Sequence, residues 1–172
     1  MILIGLGANL ASHAGPPATT IEAALSALAT AGVTIVARSP FYESEPVPRS
    51  DQPWFVNAVA RVETALGPDE LLARMHEVER NYGRVRRERN AARTLDLDLL
   101  DCDGLVRNGP DLLLPHPRMH ERAFVLKPLR DMAPMWRHPI LGLTAAELLV
   151  ALPEESRAAV RPLVKPGGYP GC

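Results

Sequence analysis

Cysteine is scarce in this chain: its 172 residues hold two, Cys102 and Cys172, and no CxxC pair. That argues against a disulfide framework and against a structural zinc site, and it fits a reducing compartment. Long apolar runs are also missing. The opening Met-Ile-Leu-Ile-Gly-Leu-Gly meets glycine at once and has no basic leader, so it does not read as a signal core. No stretch approaches the roughly 20 apolar residues of a membrane span. The expected location is therefore cytoplasmic. Excess charge is absent too, with a formal net charge of −1, and a bulk nucleic-acid binder usually carries a basic domain. There is no Gly-Lys-Ser/Thr phosphate loop, no third glycine after Gly5 and Gly7, no Gly-x-Ser-x-Gly elbow and no placed cysteine nucleophile. A nucleotide, if bound, is not held by a P-loop or a dinucleotide fingerprint.

What is present is a concentrated junction. Leu95-Asp96-Leu97-Asp98-Leu99 follows a run holding Arg84, Arg86, Arg87, Arg89 and Arg93, opposed only by Glu88. Strand side chains alternate between faces, so Asp96 and Asp98 share one face, about 7 Å apart at the backbone. Such carboxylates repel each other unless a cation or donor compensates them. They can be merely solvated residues on the polar face of a sheet. Two features favour function: aspartate is a poor strand former, and an arginine loop adjoins the pair. Arginine forks suit phosphate, and magnesium is held by one or two carboxylates plus substrate phosphates. Arg84 and Arg93 anchor the two ends of the loop and are the leading phosphate ligands. Asp101 has the opposite parity to Asp96 and Asp98 and reads as turn chemistry.

The periodicity predicts a strand over Ile2–Leu6, a helix capped by Thr19 or Thr20 and closed by Gly32, and a strand over Val33–Arg38. Proline and charge predict a loop over Phe41–Pro53. Trp54–Val62 reads as a third strand, with Phe55, Asn57, Val59 and Arg61 on one face. Gly67-Pro68-Asp69-Glu70 starts a helix that ends at Gly83. The aspartate strand follows, then a hairpin turn at Asp103-Gly104 into Leu105–Val106. A helical segment is expected near Phe124–Met132, and a last helix capped by Thr144 runs through Leu152. The order β-α-β-β-α-β points to an α+β ferredoxin-like sandwich, an antiparallel sheet with helices packed on one face. One domain is expected over 1–160, with a loosely held tail over 161–172.

Two further residues invite chemistry. Asn57, near Phe55, is either a locally satisfied buried amide or a reader of a planar heterocycle, with Phe55 and Phe124 as stacking faces. His116 and His120 have HxxxH spacing, but Pro115 and Pro117 break the helix that a metal pair needs; His116 fits better as a hydrogen-bond donor to nucleotide. An RNA-binding ferredoxin-like module competes with these readings. It lacks aromatic ribonucleoprotein signatures.

Several stretches occur together: Gly5-Leu6-Gly7-Ala8-Asn9-Leu10, Phe41-Tyr42-Glu43-Ser44-Glu45-Pro46, Asp51-Gln52-Pro53-Trp54-Phe55-Val56-Asn57-Ala58, Gly83-Arg84-Val85-Arg86, Ala92-Arg93-Thr94-Leu95-Asp96-Leu97-Asp98, Leu114-Pro115-His116-Pro117 and Arg122-Ala123-Phe124-Val125-Leu126. In this order, over roughly residues 1–153, the chain resembles the 6-hydroxymethyl-7,8-dihydropterin pyrophosphokinases of folate biosynthesis. The resemblance implies the ferredoxin-like fold and magnesium-dependent transfer of pyrophosphate from ATP to the pterin hydroxymethyl group, releasing AMP. It implies two magnesium ions at Asp96 and Asp98, with Arg84 and Arg93 completing the catalytic set. It places Ser44, Val47, Phe55, Asn57 and Phe124 around the pterin. Leu72, His76, Glu79, Arg84, Arg86, Arg93, His116 and Arg122 fall around ATP. A monomer with ATP and a reduced pterin as its only partners is expected, with no nucleic acid and no membrane. Two positions depart from the family pattern: Asn90-Ala91-Ala92 stands where Trp-Gly-Pro is frequent, and Pro117 where tyrosine is frequent.

Overall fold

In a computed structural model that describes residues 1–83 and 92–164, the central element is β1 (Ile2–Ala8), whose odd and even residues serve different layers. Ile2, Ile4, Leu6 and Ala8 are buried on one face, and Leu3 is buried on the other. α1 (Pro17–Thr30) follows; Pro16, not Thr19 or Thr20, occupies its N-cap. The Thr20 hydroxyl turns back to the Gly15 carbonyl and to Ser12. Gly32 ends the helix at φ +87, a left-handed conformation that favours glycine.

β2 (Thr34–Arg38), β3 (Tyr42–Ser44) and β4 (Phe55–Glu63) come next. β2 and β3 pair with successive halves of β4: Thr34 to Arg38 lie against Glu63 to Ala60, and Tyr42 to Ser44 against Asn57 to Phe55. The segment 41–53, expected as a loop, thus contains a strand. α2 (Pro68–Asn81) carries Asp69 and Glu70 in its first turn and ends before Gly83. β5 (Asp96–Cys102) closes the path β5-β1-β4-β3, and every neighbouring pair is antiparallel. With β2 beside β4, the split β-α-β arrangement of the ferredoxin-like fold is complete.

The Asp103-Gly104 turn forms, with φ +53 and +72, but Leu105–Val106 forms no strand against β5. Asp103 N bonds the Met1 carbonyl, and β6 (Arg107–Asn108) pairs instead with β7 (Leu113–Leu114). A 3-10 turn, Met119–Glu121, leads into α3 (Ala123–Met132). Thr144 caps α4 (Ala145–Ala151) reciprocally with Glu147. One more helix, α5 (Glu154–Ala158), and a strand, β8 (Val160–Pro162), follow where the sequence predicts neither. β8 adds to β3, Arg161 Nε bonds Glu43 Oε1 at 2.5 Å, and Leu163 N bonds the Phe41 carbonyl. Residues 161–163, expected in a loose tail, are therefore tied to the sheet. The remainder of that tail, 165–172, lies outside the described residues.

Helices cover both faces of the sheet, not one. α1 and α2 pack on Ile4, Leu6, Ala58, Ala60, Leu97 and Leu99. α3, α4 and the 3-10 turn pack on Leu3, Val59 and Leu100. Each fully buried leucine or isoleucine contributes about 1.5–3 kcal/mol relative to exposure, so two such layers hold the sheet rigidly between them. Among the described residues no helix is long and apolar enough to cross a membrane, and Cys102 is a free, buried thiol.

Candidate active site

The second layer stops short of the N-terminal half of β4, and a cleft opens there. Its wall is Gly5, Leu6, Gly7, Ser44, Glu45, Val47, Phe55, Asn57, Ala58, Arg93, Asp96, Asp98, Arg122, Phe124 and Val125. Strand register explains the grouping. Gly7 lies opposite Asp96 on one side and Asn57 on the other. Asp96 and Asn57 are thus two interstrand spacings apart, about 10 Å at the backbone. Asp98 lies opposite Gly5. Glycine matters at both places: a Cβ on Gly7 would stand 3.4 Å from Asn57 Oδ1, and one on Gly5 would stand 3.4 Å from the Leu100 side chain.

The two carboxylates are compensated by arginine. Asp96 pairs with Arg93, and Asp98 Oδ2 lies 3.8 Å from Arg122 Nη1. Arg93 is fixed at its backbone: its N–H donates to Asn9 Oδ1 at 2.7 Å, and its carbonyl accepts from Asn9 N and Leu10 N. Asn9, 2% exposed, also donates through Nδ2 to Gln52 Oε1 and the Pro53 carbonyl. It thereby joins the end of β1, the start of β5 and the approach to β4. Sequence reading passed over Asn9. Its one signal was a short amide directly after a strand and two glycines.

A bulge between Leu3 and Ile4 breaks the alternation in β5. Asp101 therefore faces the same side as Asp96 and Asp98, contrary to the parity argument. Its carboxylate is already spent: Oδ1 accepts from Gly104 N and Oδ2 from Trp136 Nε1. Asn57 is the satisfied buried amide of its first reading. It is buried and donates Nδ2 to Ser44 Oγ at 2.8 Å, yet it lines the cleft.

Residues 3–134 match the model of the family 7,8-dihydro-6-hydroxymethylpterin-pyrophosphokinase (HPPK). The chain belongs to this family. It is 44% identical over 155 residues to the 2-amino-4-hydroxy-6-hydroxymethyldihydropteridine pyrophosphokinase of Pseudomonas aeruginosa, covering 90% of this chain and 93% of that one. It is 35% identical over 163 residues to the folic acid synthesis protein fol1 of Pneumocystis carinii, covering 95% of this chain but 22% of that protein. A Plasmodium falciparum HPPK-DHPS triple mutant, solved with pteroate, superposes with a TM-score of 0.69 at 14% identity, over 94% of this chain and 46% of that one. The chain thus spans nearly all of its bacterial relative and less than half of the two eukaryotic ones. It is an HPPK, a diphosphotransferase that moves pyrophosphate from ATP to hydroxymethyldihydropterin in folate synthesis.

Of the residues that the sequence assigns to HPPK chemistry, the cleft gathers Ser44, Val47, Phe55, Asn57, Phe124, Arg93, Asp96, Asp98 and Arg122. Arg84 and Arg86 lie outside the described residues. Leu72, His76 and Glu79 sit on α2 and do not line the cleft. Leu72 packs against the first core layer. Glu79 is 1% exposed, and its Oε1 accepts from Leu97 N at 2.8 Å. This carboxylate braces the outer edge of β5 between Asp96 and Asp98.

His116 adjoins the cleft without lining it. Its N–H donates to the Leu100 carbonyl, and its Nδ1 accepts from Arg118 N at 3.2 Å. A ring that accepts through Nδ1 carries its proton on Nε2. Burial first, then the Arg122 charge, pushes His116 down to about 4, against an opposing pull from Asp96. With the folded value below the unfolded one, the stability contribution of His116 is present above the unfolded value of 6.5 and is lost as pH falls toward 4. An imidazole NMR titration is expected to give a midpoint near 4 for this residue; a midpoint at the unfolded value would show a solvated ring.

Proposed function

We propose that HPPK chemistry runs in this cleft with the following division of roles. Asp96 and Asp98 hold magnesium, two ions as the family resemblance implies. The donors suit it: two hard carboxylates on one strand face, opposite glycines that leave room. Among the described residues no group of three or more histidine, cysteine, aspartate or glutamate side chains gathers to hold a metal alone. A site completed by substrate phosphates fits that chemistry. Magnesium bound there would neutralise the phosphates and lower the pKa of the pterin alcohol.

Arg93 and Arg122 compensate the carboxylates in this structure and are placed to turn to phosphate, since guanidinium forks accept either anion. The family resemblance assigns Arg84 and Arg86, outside the described residues, to the phosphates as well. Asn57 reads the edge of the pterin, with Phe55 and Phe124 offering ring faces and Ser44 and Val47 completing the wall. His116, neutral above about pH 4, donates Nε2–H to the nucleotide. The family resemblance also assigns Leu72, His76 and Glu79 to ATP; in this structure they stand on α2 outside the cleft, and the Glu79 carboxylate is taken up by Leu97 N. The hydroxymethyl oxygen then bonds to the β-phosphorus, the bond from that phosphorus to the αβ-bridging oxygen breaks, and AMP leaves with the bridging oxygen. The alcohol proton passes to solvent. Catalysis of this kind is mostly positioning and charge stabilisation, and no general base is required of the chain. The free thiol of Cys102 fits a reducing compartment such as the cytoplasm.

The observation that carries this reading is the row Asp96–Gly7–Asn57 across three adjacent strands. On the proposed roles, phosphate chemistry stands at one end of that row and heterocycle recognition at the other. The protein incubated with ATP, magnesium and 6-hydroxymethyl-7,8-dihydropterin is expected to form AMP only when the pterin is present. ADP, or AMP without pterin dependence, would reject the assignment.

A further inference from the structure

The wall of the cleft comes from two layers. Ser44 and Asn57 belong to the sheet, on β3 and β4, whereas Phe124 belongs to the first turn of α3. A flat ring held between them needs a fixed distance from strand to helix. Neither side is firm by itself. β3 has three residues, the lower limit for a strand. On α3, Pro128 has no N–H, so the intrahelical bond that would end on the Phe124 carbonyl is missing.

Lys127 stands where these two weak places meet. Phe124, Lys127 and Asp131 recur at i, i+3 and i+7 and so share one face of α3. That face is tied to β3 and β8. At its far end the Tyr42 hydroxyl donates to the Asp131 carboxylate. Nearer the cleft, Lys127 Nζ donates to the Arg157 carbonyl at 2.7 Å and to the Val160 carbonyl at 2.6 Å. These carbonyls lie at the end of α5 and the start of β8. The charges that bear on this ammonium are both cationic, Arg130 and Arg157; burial first, then these two, lowers its pKa. Arg130 is itself engaged by Asp131, and Arg157 by Glu154. A partly buried ammonium without an anion needs hydrogen-bond acceptors, and the two carbonyls supply them.

The strand that Lys127 grips leads to the ring site. Val160 lies opposite Ser44 in the β3–β8 ladder. On either side, Glu45 N donates to the Ala159 carbonyl and Leu163 N to the Phe41 carbonyl. Ser44 Oγ in turn accepts from Asn57 Nδ2 at 2.8 Å, which sets the direction of the other amide N–H and of the amide oxygen. The contacts run from Phe124 through α3, Lys127, Val160 and Ser44 to Asn57, from one wall of the cleft to the other.

We propose that Lys127 is a positioning residue for the pterin: its two carbonyl bonds latch β8 to α3 and hold Phe124 at a fixed distance from the Ser44–Asn57 pair. Lys127 does not itself line the cleft. The inference rests on the pterin roles given above to Ser44, Asn57 and Phe124. Asp96, Asp98 and Arg93 stand outside this chain of contacts, so the effect of Lys127 falls on one substrate.

Two substitutions test the latch. Lys127→Met keeps the length of the stem and removes the donors, whereas Lys127→Arg keeps a cation with donors. Lys127→Met is expected to lose about tenfold in kcat/KM for the pterin, the scale of a slight misplacement, with KM for ATP within about twofold of the parent. Lys127→Arg is expected to stay within about threefold of the parent in both. Amide hydrogen exchange reads the latch without activity: the Glu45 and Leu163 amides are expected to exchange at least about tenfold faster in Lys127→Met, while those of β1 keep their parental rates. A lysine of merely structural importance would speed exchange throughout and weaken the use of both substrates together. Parental pterin kinetics in Lys127→Met, an equal loss toward ATP, a deficit in Lys127→Arg as large as in Lys127→Met, or unchanged exchange at Glu45 and Leu163 each overturns the proposal. A wrong assignment of the reaction or of the pterin roles would show instead in the products of the parent protein and in undiminished pterin use by Asn57→Ala.

Discussion

Asp98→Asn is expected to lower kcat at least about a hundredfold while leaving the fold intact, the scale of losing a charge aimed at the transition state. The substitution keeps shape and polarity, so packing opposite Gly5 is unchanged. What it removes is half of the negative charge that the strand presents to a cation. The Asp98–Arg122 pair, 3.8 Å long with side chains 36% and 24% exposed, is solvated enough to contribute no more than about 1 kcal/mol to stability. A small shift in melting temperature beside a large loss in kcat is therefore the expected signature. Two outcomes of steady-state kinetics and a thermal melt decide the point. Near-parental kcat removes Asp98 from the metal site. A collapse in melting temperature that parallels the loss of activity makes Asp98 a structural residue instead.

The features legible in the chain were those with a short period. Leu95, Leu97 and Leu99 alternate with Asp96 and Asp98, and side-chain direction in a strand follows from that alternation alone. Phe55 and Asn57 were placed on one face by the same argument, and Gly67-Pro68 and Gly83 bounded α2 by local backbone chemistry. Contacts distant in sequence were not legible. β3 is three residues long in a proline-rich segment, and its second partner, β8, lies more than a hundred residues away in sequence. Glu79 reads as one more polar residue on an amphipathic helix, and nothing local shows that it is buried against Leu97 N. Asn9 gathers groups 43, 44 and 84 residues away. A bulge of one residue in β5 was enough to invalidate the parity assigned to Asp101, because any slip in register reverses every later side chain. The site was thus legible as a set of chemical groups, whereas the clamps that orient those groups depend on the assembled sheet.

Asn57→Ala tests the other end of the Asp96–Gly7–Asn57 row, and a loss of about a hundredfold in kcat/KM for the pterin is expected, with KM for ATP within about twofold of the parent. The amide spends one N–H on Ser44 Oγ. That leaves a carbonyl oxygen and a second N–H for the edge of a heterocycle. Alanine removes both and lets the ring enter with its own polar edge unpaired, which costs about 1–3 kcal/mol for each group so stranded. Losing Asn57 also deprives Ser44 of a buried partner, so a stability loss of similar size accompanies the binding loss. The two effects separate cleanly. Instability alone would weaken ATP and pterin use together, by shrinking the folded fraction. Lost recognition weakens the pterin alone, because Asp96, Asp98, Arg93 and Arg122 lie on β5, at its start and before α3, and keep their own supports. Calorimetry of pterin binding to the folded variant decides between them: unchanged pterin affinity would return Asn57 to the role of a satisfied core amide and leave Phe55 and Phe124 to hold the ring by their faces.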